Sequence, residues 1–296
     1  MTEITLLDGG MGQELVHRAG DRPTPLWSTQ VMMDKPGLVS EVHCDFFAAG
    51  STIATLNTYA IHRDRLAPFG IEDQFATLHA MALKEAQDGR AGAGRIAGSI
   101  GPLGASYRPD AHPTADIAVP LYAEVARGFK GNVDLVFCET VVSLQHTRCI
   151  IEGAKSAGAP IWCAFSVDDE DGTKLRSGES VQEAVQIAAD MGAVAALANC
   201  SAPEAIPAAL AEIAKAGLPY GAYANGFTQI TNDFLKDRPT VDALSQRQDF
   251  TPDVYADHVM EWIEQGATLV GGCCEVGPAH IAEIAKRLRA AGHTIV

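Results

Sequence analysis

The sequence is poor in basic residues. It contains 22 lysine and arginine residues against 37 aspartate and glutamate residues, so the 296-residue chain has a formal net charge of −15. Nucleic acids are bound by basic protein faces, and anionic membrane surfaces attract the same kind of face. The composition therefore argues against both kinds of partner, and it gives no positive indication of a substrate.

Long hydrophobic runs are also absent. No apolar run approaches the ~20 residues that a membrane-spanning helix needs, and the Met1–Ile4 start lacks the basic and apolar regions of a signal peptide. The seven cysteines are odd in number and scattered. This pattern is more typical of reduced thiols than of a disulfide framework, so we expect a cytoplasmic protein.

Several common catalytic motifs are missing. The chain has no Walker loop and no Gly-x-Ser-x-Gly elbow. Its nine histidines form neither His-x-His nor His-Glu-x-x-His, so a histidine-ligated hydrolytic zinc site is unsupported. The glycine-rich segment 92–98 precedes an apolar run, whereas a dinucleotide-binding loop would follow one.

What the chain does contain is a repeated pattern of short apolar runs and longer amphipathic stretches. Runs without polar alternation are typical of strands that are buried on both faces. Eight strands alternating with helices predict a single (β/α)8 barrel domain over residues 1–296. The predicted strands are Ile4–Leu7, Ser51–Thr55, Arg95–Ile100, Leu135–Cys138, Ile161–Phe165, Val194–Ala198, Gly221–Ala224 and Thr268–Val270.

Amphipathic spacing predicts a helix between most pairs of strands. Two long loops, Ser106–Ala118 and Asn225–Phe250, are expected at the catalytic face of the barrel, where they could act as lids. The predicted helices are Val39–Ala49, Ile71–Gln87, Pro120–Lys130, Leu144–Ala157, Val181–Met191, Glu204–Ala216, Pro252–Gln265 and Pro278–Ala291.

Polar residues cluster where the predicted strands end. Barrel enzymes place their catalytic groups at the carboxyl ends of the strands, so these residues are candidates for a shared site. They are Asp8, Asn57, Thr58, Glu139, Ser166, Asp168, Cys200, Asn225, Cys273 and Cys274.

The three cysteines in that set indicate a metal site. Cys273 and Cys274 follow two glycines, which allow a tight backbone bend, and Cys200 ends another predicted strand. Three thiolates from two strand ends suggest a catalytic zinc ion (Zn²⁺) with one open position, where a bound thiol would be deprotonated and become a nucleophile. A single cysteine is more often a buried core residue, and we expect that of the other four: Cys44, Cys138, Cys149 and Cys163.

Carboxylates and aromatic residues complete the candidate site. The turn Asp8–Gly12 has backbone N–H groups, at Gly9, Gly10 and Met11, that could hold a carboxylate, with Asp8 beside them for an ammonium group. Glu139 follows a buried strand, where a carboxylate needs a cationic partner. Trp27 and Tyr59 lie in loops, where they either pack against the barrel mouth or shield a cationic methyl donor.

These residues resemble the homocysteine S-methyltransferase family along nearly the whole chain. The matching segments also occur in the family's order, which makes the resemblance specific. They are Leu7–Gly12, Pro25–Ser28, Val42–Gly50, Thr55–Tyr59, Glu139–Thr140, Asn199–Glu204 and Gly271–Cys274.

The resemblance implies a zinc-containing barrel that methylates homocysteine to form methionine. By the family motif, Cys200, Cys273 and Cys274 would bind zinc, and Asp8 and Glu139 would orient the homocysteine amino group. The glycine turn would hold its carboxylate. Asn57, Thr58 and Asn225 would join Trp27 and Tyr59 in contacting the substrates.

The resemblance leaves the methyl donor and the acceptor open. A thiolate takes a methyl group most readily when the leaving group departs neutral, which favours sulfonium or quaternary ammonium donors. Thr140 stands where the relatives that use betaine have an aromatic residue, so we rank a sulfonium donor first. Glu275, after the cysteine pair, and the segment Asn225–Phe227 depart from the family pattern. Two alternatives stay open: another thiol or selenol acceptor, and a methyl-transfer subunit that is active only in a complex.

Overall fold

The chain folds into a (β/α)8 barrel. The structure, a computed structural model, describes residues 2–20, 24–90, 92, 94–227, 247 and 249–296. Within these residues the strands are β1 Glu3–Leu6, β2 Ile53–Thr55, β3 Arg95–Ile100, β4 Leu135–Val141, β5 Ile161–Phe165, β6 Ala195–Asn199, β7 Tyr220–Tyr223, β8 Leu269–Val270 and β9 Thr294–Ile295.

Strands β2 to β8 pair in chain order, and β8 then pairs with β1, all in parallel. The Thr52 N–H donates to the Leu6 carbonyl at 2.7 Å, which connects the β1 and β2 ends of the sheet. All eight predicted strands are confirmed to within a few residues. Short β9 is an addition: it pairs with β1, and Thr52 Oγ1 also donates to the Val296 carbonyl at 2.7 Å.

The helices surround the sheet. Apolar side chains of the strands are buried beneath the helices, and this burial is the main source of stability. The described helices are α1 Met11–Ala19, α2 Ser28–Asp34, α3 Leu38–Ala49, α4 Arg63–Leu66, α5 Phe75–Gly89, α6 Ala115–Phe129, α7 Leu144–Ala154, α8 Val181–Asp190, α9 Ile206–Ile213, α10 Pro252–Glu264 and α11 Pro278–Ala290.

Several predictions of the connections were wrong. Helices α1, α2 and α4 were missed, because glycine-rich and short segments lack a long amphipathic period. The loop predicted over Ser106–Ala118 ends early, since α6 already begins at Ala115. Of the loop predicted over Asn225–Phe250, residues 228–246 and 248 lie outside the described residues.

The barrel interior is filled by inward-facing side chains from neighbouring strands. Phe137 of β4 packs edge-to-face on Trp162 of β5, with ring centroids 5.3 Å apart, and Tyr223 of β7 lies 5.9 Å from Phe137. These aromatic residues form a floor beneath the carboxyl ends of the strands. Cys273 packs against the same cluster, so the floor also supports the predicted metal site.

Three of the four cysteines assigned to the core are buried: Cys138, Cys149 and Cys163. The prediction was wrong for Cys44, which is exposed, because it lies on the solvent-facing side of α3. Among the described residues, no helix combines the length and the apolar character that crossing a membrane requires.

Candidate active site

A cavity of about 320 Å³ opens at the carboxyl ends of the strands. It is lined by most of the residues that the sequence singled out. They are Asp8, Gly9, Gly10, Met11, Trp27, Asn57, Tyr59, Glu139, Cys200, Cys273 and Cys274.

Four of the rim residues have structural contacts away from the cavity lining. Thr58 Oγ1 donates to the Ser99 carbonyl at 2.7 Å, and Asn225 Oδ1 accepts from the Phe227 N–H at 3.2 Å. Ser166 Oγ donates to the Cys200 carbonyl, and Asp168 accepts two N–H groups of its own loop. Thr58 and Ser166 therefore support the backbone beneath the site.

The three predicted metal-binding cysteines converge. The Sγ atoms of Cys200, Cys273 and Cys274 all lie within 4.8 Å of one another. A tetrahedral zinc with Zn–S bonds of ~2.3 Å holds its sulfurs about 3.8 Å apart, so the donor set fits one ion. The Cys200 and Cys273 sulfurs are joined as a disulfide here, and metal binding requires the reduced thiols.

Backbone geometry brings these cysteines together. The Cys273 N–H donates to the Ala224 carbonyl at 2.9 Å, and the Cys200 N–H donates to the Tyr223 carbonyl at 3.2 Å, so both continue the pairing of β7. A Cβ on Gly272 would lie 2.0 Å from a Val276 methyl carbon. Glycine is therefore required where the chain turns between β8 and the cysteine pair.

Asp8 and Glu139 are buried in the cavity wall. Asp8 accepts hydrogen bonds from the Thr55 N–H at 2.6 Å and from Thr55 Oγ1 at 2.7 Å. Burial nevertheless raises its pKa to about 6. The charged form of Asp8 is thus only partly compensated by its protein neighbours.

Glu139 is in a similar position. It accepts from Ser99 Oγ at 2.5 Å and from the Tyr223 hydroxyl at 3.1 Å. Burial, with a further contribution from the negative charge of Asp8, raises its pKa to about 7. Among the described residues neither carboxylate has a lysine or arginine partner, so a cationic ligand group would complete the arrangement.

The glycine turn offers fewer free N–H groups than its sequence indicates. The Gly10 N–H donates to the Val276 carbonyl at 2.8 Å, and the Met11 N–H donates to the Gly9 carbonyl at 2.9 Å. In the described part of the chain, the Gly9 N–H has no backbone acceptor. Gly9 and Gly10 are also required sterically, because a Cβ would lie 2.1 Å from the Val276 oxygen or 2.4 Å from the Cys273 oxygen.

The aromatic residues form one wall of the cavity. The rings of Trp27 and Tyr59 meet edge-to-face with centroids 6.1 Å apart. Trp27 Nε1 donates to Gln13 Oε1 at 2.8 Å, and Gln13 Nε2 donates to Glu275 Oε1 at 2.5 Å. This hydrogen-bond chain connects the aromatic wall to the residue that follows the cysteine pair.

Glu275 adopts a left-handed backbone with φ of 67°. That conformation costs a residue with a side chain about 1–2 kcal/mol, and the buried carboxylate adds to the cost. The sequence marked Glu275 as unusual but did not reveal Gln13. No sequence signal predicted this contact, since Gln13 and Glu275 are 262 positions apart.

The fold and the site define a barrel enzyme with three converging cysteines, a candidate metal centre, beside two buried carboxylates. A family model described as homocysteine S-methyltransferase matches residues 5–288. The chain is 29% identical to the homocysteine S-methyltransferase of Escherichia coli (strain K12), over 96% of this chain and 95% of that protein. The chain therefore belongs to the homocysteine S-methyltransferase family.

Two further comparisons bear on the chemistry. The metallated form of the E. coli homocysteine methyltransferase matches with a TM-score of 0.81 and 27% identity, covering 97% of this chain and 96% of the other. A selenocysteine Se-methyltransferase of Brassica oleracea var. italica is 25% identical, over 96% of this chain and 88% of its own length. Metal-bound and selenium-directed relatives thus share nearly the full length of this chain.

Proposed function

We propose that this protein is a zinc-dependent methyltransferase that moves a methyl group from a sulfonium donor to the sulfur of homocysteine, forming methionine. The observation that supports this most directly is the convergence of Cys200, Cys273 and Cys274 on a cavity that also contains Asp8 and Glu139. Zinc, when bound by the three thiolates, would hold the acceptor thiol as a thiolate and so supply the nucleophile.

The protein groups position the acceptor. Asp8 and Glu139 lack cationic partners among the described residues, and the ammonium group of homocysteine would stabilise their charged forms. The Gly9 N–H would donate a hydrogen bond to the carboxylate of the same molecule. These contacts would fix the orientation of the acceptor sulfur.

The aromatic wall suits a cationic donor. Trp27 and Tyr59 line the same cavity as the cysteines, and aromatic rings attract desolvated cations. A sulfonium donor loses its charge as the methyl group moves, so it leaves as a neutral thioether. We assign the reaction to the cytoplasm, because reduced thiols persist there.

The experiment is a donor panel with reduced, zinc-replete protein and homocysteine. S-methylmethionine, S-adenosylmethionine, dimethylsulfoniopropionate and betaine each leave a different demethylated product, so mass spectrometry of the products identifies the donor. We expect methionine to form with a sulfonium donor. If the purified chain forms no methionine with any donor, the protein is not a self-sufficient methyltransferase, which is the outcome expected of a subunit.

A second acceptor is supported by the similarity to a selenocysteine Se-methyltransferase. Selenocysteine carries the same ammonium and carboxylate groups as homocysteine on a shorter chain, so Asp8 and Glu139 could orient either. Competition between the two acceptors for a limiting donor distinguishes them. Preferential formation of methylselenocysteine would reassign the physiological acceptor while leaving the chemistry unchanged.

A further inference from the structure

Arg65 has an unusual position for an arginine of this protein. It follows Asp64 on α4, and both residues line the cavity. Among the described residues that line this cavity, Arg65 is the one cationic side chain, whereas Asp8, Asp64 and Glu139 are acidic.

The guanidinium of Arg65 is held in place without an ionic partner. Its Nη2 donates to the Pro102 carbonyl at 2.9 Å, and its Cζ lies 5.9 Å from the centroid of the Tyr59 ring. Its Nε is buried and has no hydrogen-bond partner in the described part of the chain. No ion pair joins Arg65 to Asp64 in the described part of the chain, and Asp64 Oδ2 accepts the Gly104 N–H at 2.7 Å.

Most other arginines of the described chain do pair with carboxylates. These are Arg18, Arg63, Arg90, Arg108, Arg176, Arg247 and Arg287. Acidic residues are abundant in a chain of net charge −15, yet Arg65 forms no ion pair with any of them among the described residues. A guanidinium with free donors in a partly desolvated site is a receptor for a planar anion such as a carboxylate.

Arg65 lies beside the aromatic residues against which the donor is proposed to bind, and not beside the acceptor carboxylates. Tyr59 lies 6.1 Å from Trp27 and 5.9 Å from Arg65, measured from its ring centroid. Arg65 is therefore a neighbour of the aromatic wall that Trp27 and Tyr59 form. Asp8 and Glu139 belong to different strand ends, β1 and β4, and no hydrogen bond joins them to Arg65.

We propose that Arg65 binds the carboxylate of the sulfonium donor and so acts as a specificity-determining residue for that end of the molecule. This inference rests on the proposed methyl transfer. Arg65 then selects the donor by its remote end, while the aromatic wall receives the sulfonium centre. The backbone of the loop after β3 holds the guanidinium in the cavity wall through the Pro102 carbonyl.

The test compares the binding of two probes by calorimetry without acceptor, so that no reaction occurs. The probes are S-methylmethionine and its carboxamide, which lacks the carboxylate. Hydrogen bonds to a charged group contribute ~1.5–3 kcal/mol, so the wild-type protein should bind the acid about 10- to 100-fold more tightly. Arg65→Gln should abolish this preference with little change for the carboxamide, and Arg65→Lys should retain part of it.

Arg63→Gln is the matched control, because Arg63 lies on the same helix and pairs with Glu124 at the surface. It should leave both affinities unchanged. Wild-type protein with no preference for the acid, including no binding of either probe, would overturn the proposal, as would Arg65→Gln weakening both probes equally. A higher KM for homocysteine alone would assign Arg65 to the acceptor. Methionine formation in the donor panel is a separate readout, so the proposed function is tested independently.

Discussion

At the scale of single residues, Glu139 shows how binding and stability oppose each other. Its folded-state pKa, about 7, lies above the ordinary value of 4.5 because the side chain is buried. The unfolded chain therefore releases this proton at lower pH than the folded chain. Burial of Glu139 therefore costs no stability from ionisation below about pH 4.5, where the group is protonated in both states. Stability is lost as the pH rises from there through 7.

Glu139→Gln should stabilise the ligand-free protein at high pH, because no buried charge has to form. A glutamine can still accept from Ser99 and can donate to the Tyr223 hydroxyl. We expect the free energy of unfolding at about pH 8 to rise by on the order of 2 kcal/mol, and methyl transfer to fall by about 100-fold or more. Urea titrations at about pH 8 and pH 4 check the first point. An equal effect at both values would contradict this explanation.

At the scale of elements, helix α1 and the loop after β8 are joined through Gln13 and Glu275. Removing the Glu275 side chain in Glu275→Gly relieves the left-handed backbone and leaves Gln13, and with it Trp27, without an anchor. We expect little change in stability or zinc content but a KM for the donor that is about 10-fold higher, the lower end of what the loss of one charge-assisted hydrogen bond gives. Glu275→Gln is the control, since its amide oxygen still accepts from Gln13. Equal KM values in the two variants would refute the anchoring role.

The elements of the fold differ in how well the sequence could predict them. The strands were predictable because Ile161–Phe165 and its counterparts are short apolar runs without alternation, which is typical of a sheet covered on both faces. Placement at strand ends then located Asp8, Glu139 and the cysteines. Arg65 was not predictable, since its place in the cavity depends on short α4 and on the Pro102 carbonyl, neither of which has a periodic signal.

At the scale of the whole molecule, buried histidines should make the fold sensitive to acid. His43 is fully buried with both ring nitrogens unpartnered among the described residues, and burial lowers its pKa to about 3. His62 and His79 have pKa values lowered to about 4, mainly by burial. The unfolded chain takes up these protons near pH 6.5, so this contribution to stability is lost as the pH falls from 6.5 toward 3.

His43→Leu isolates one of these groups. As the pH falls from about 7 to 5, the difference in free energy of unfolding between this variant and the wild type should shift by roughly 2 kcal/mol in favour of the variant. The comparison between variants cancels the opposite contribution of Asp8 and Glu139, which are present in both. Parallel pH dependences in chemical denaturation would show that His43 does not couple folding to protonation.

The candidate metal centre formed by Cys200, Cys273 and Cys274 is the part of the molecule on which the proposed reaction depends most directly. The decisive measurement is zinc content together with methyl transfer for reduced wild-type, Cys273→Ala and Cys44→Ala proteins. Cys44 is exposed on α3, so Cys44→Ala should bind about one zinc per chain and form methionine at the wild-type rate. Cys273→Ala should lose both the zinc and the activity, with circular dichroism confirming that it remains folded. Full methyl transfer by zinc-free Cys273→Ala protein would contradict the account.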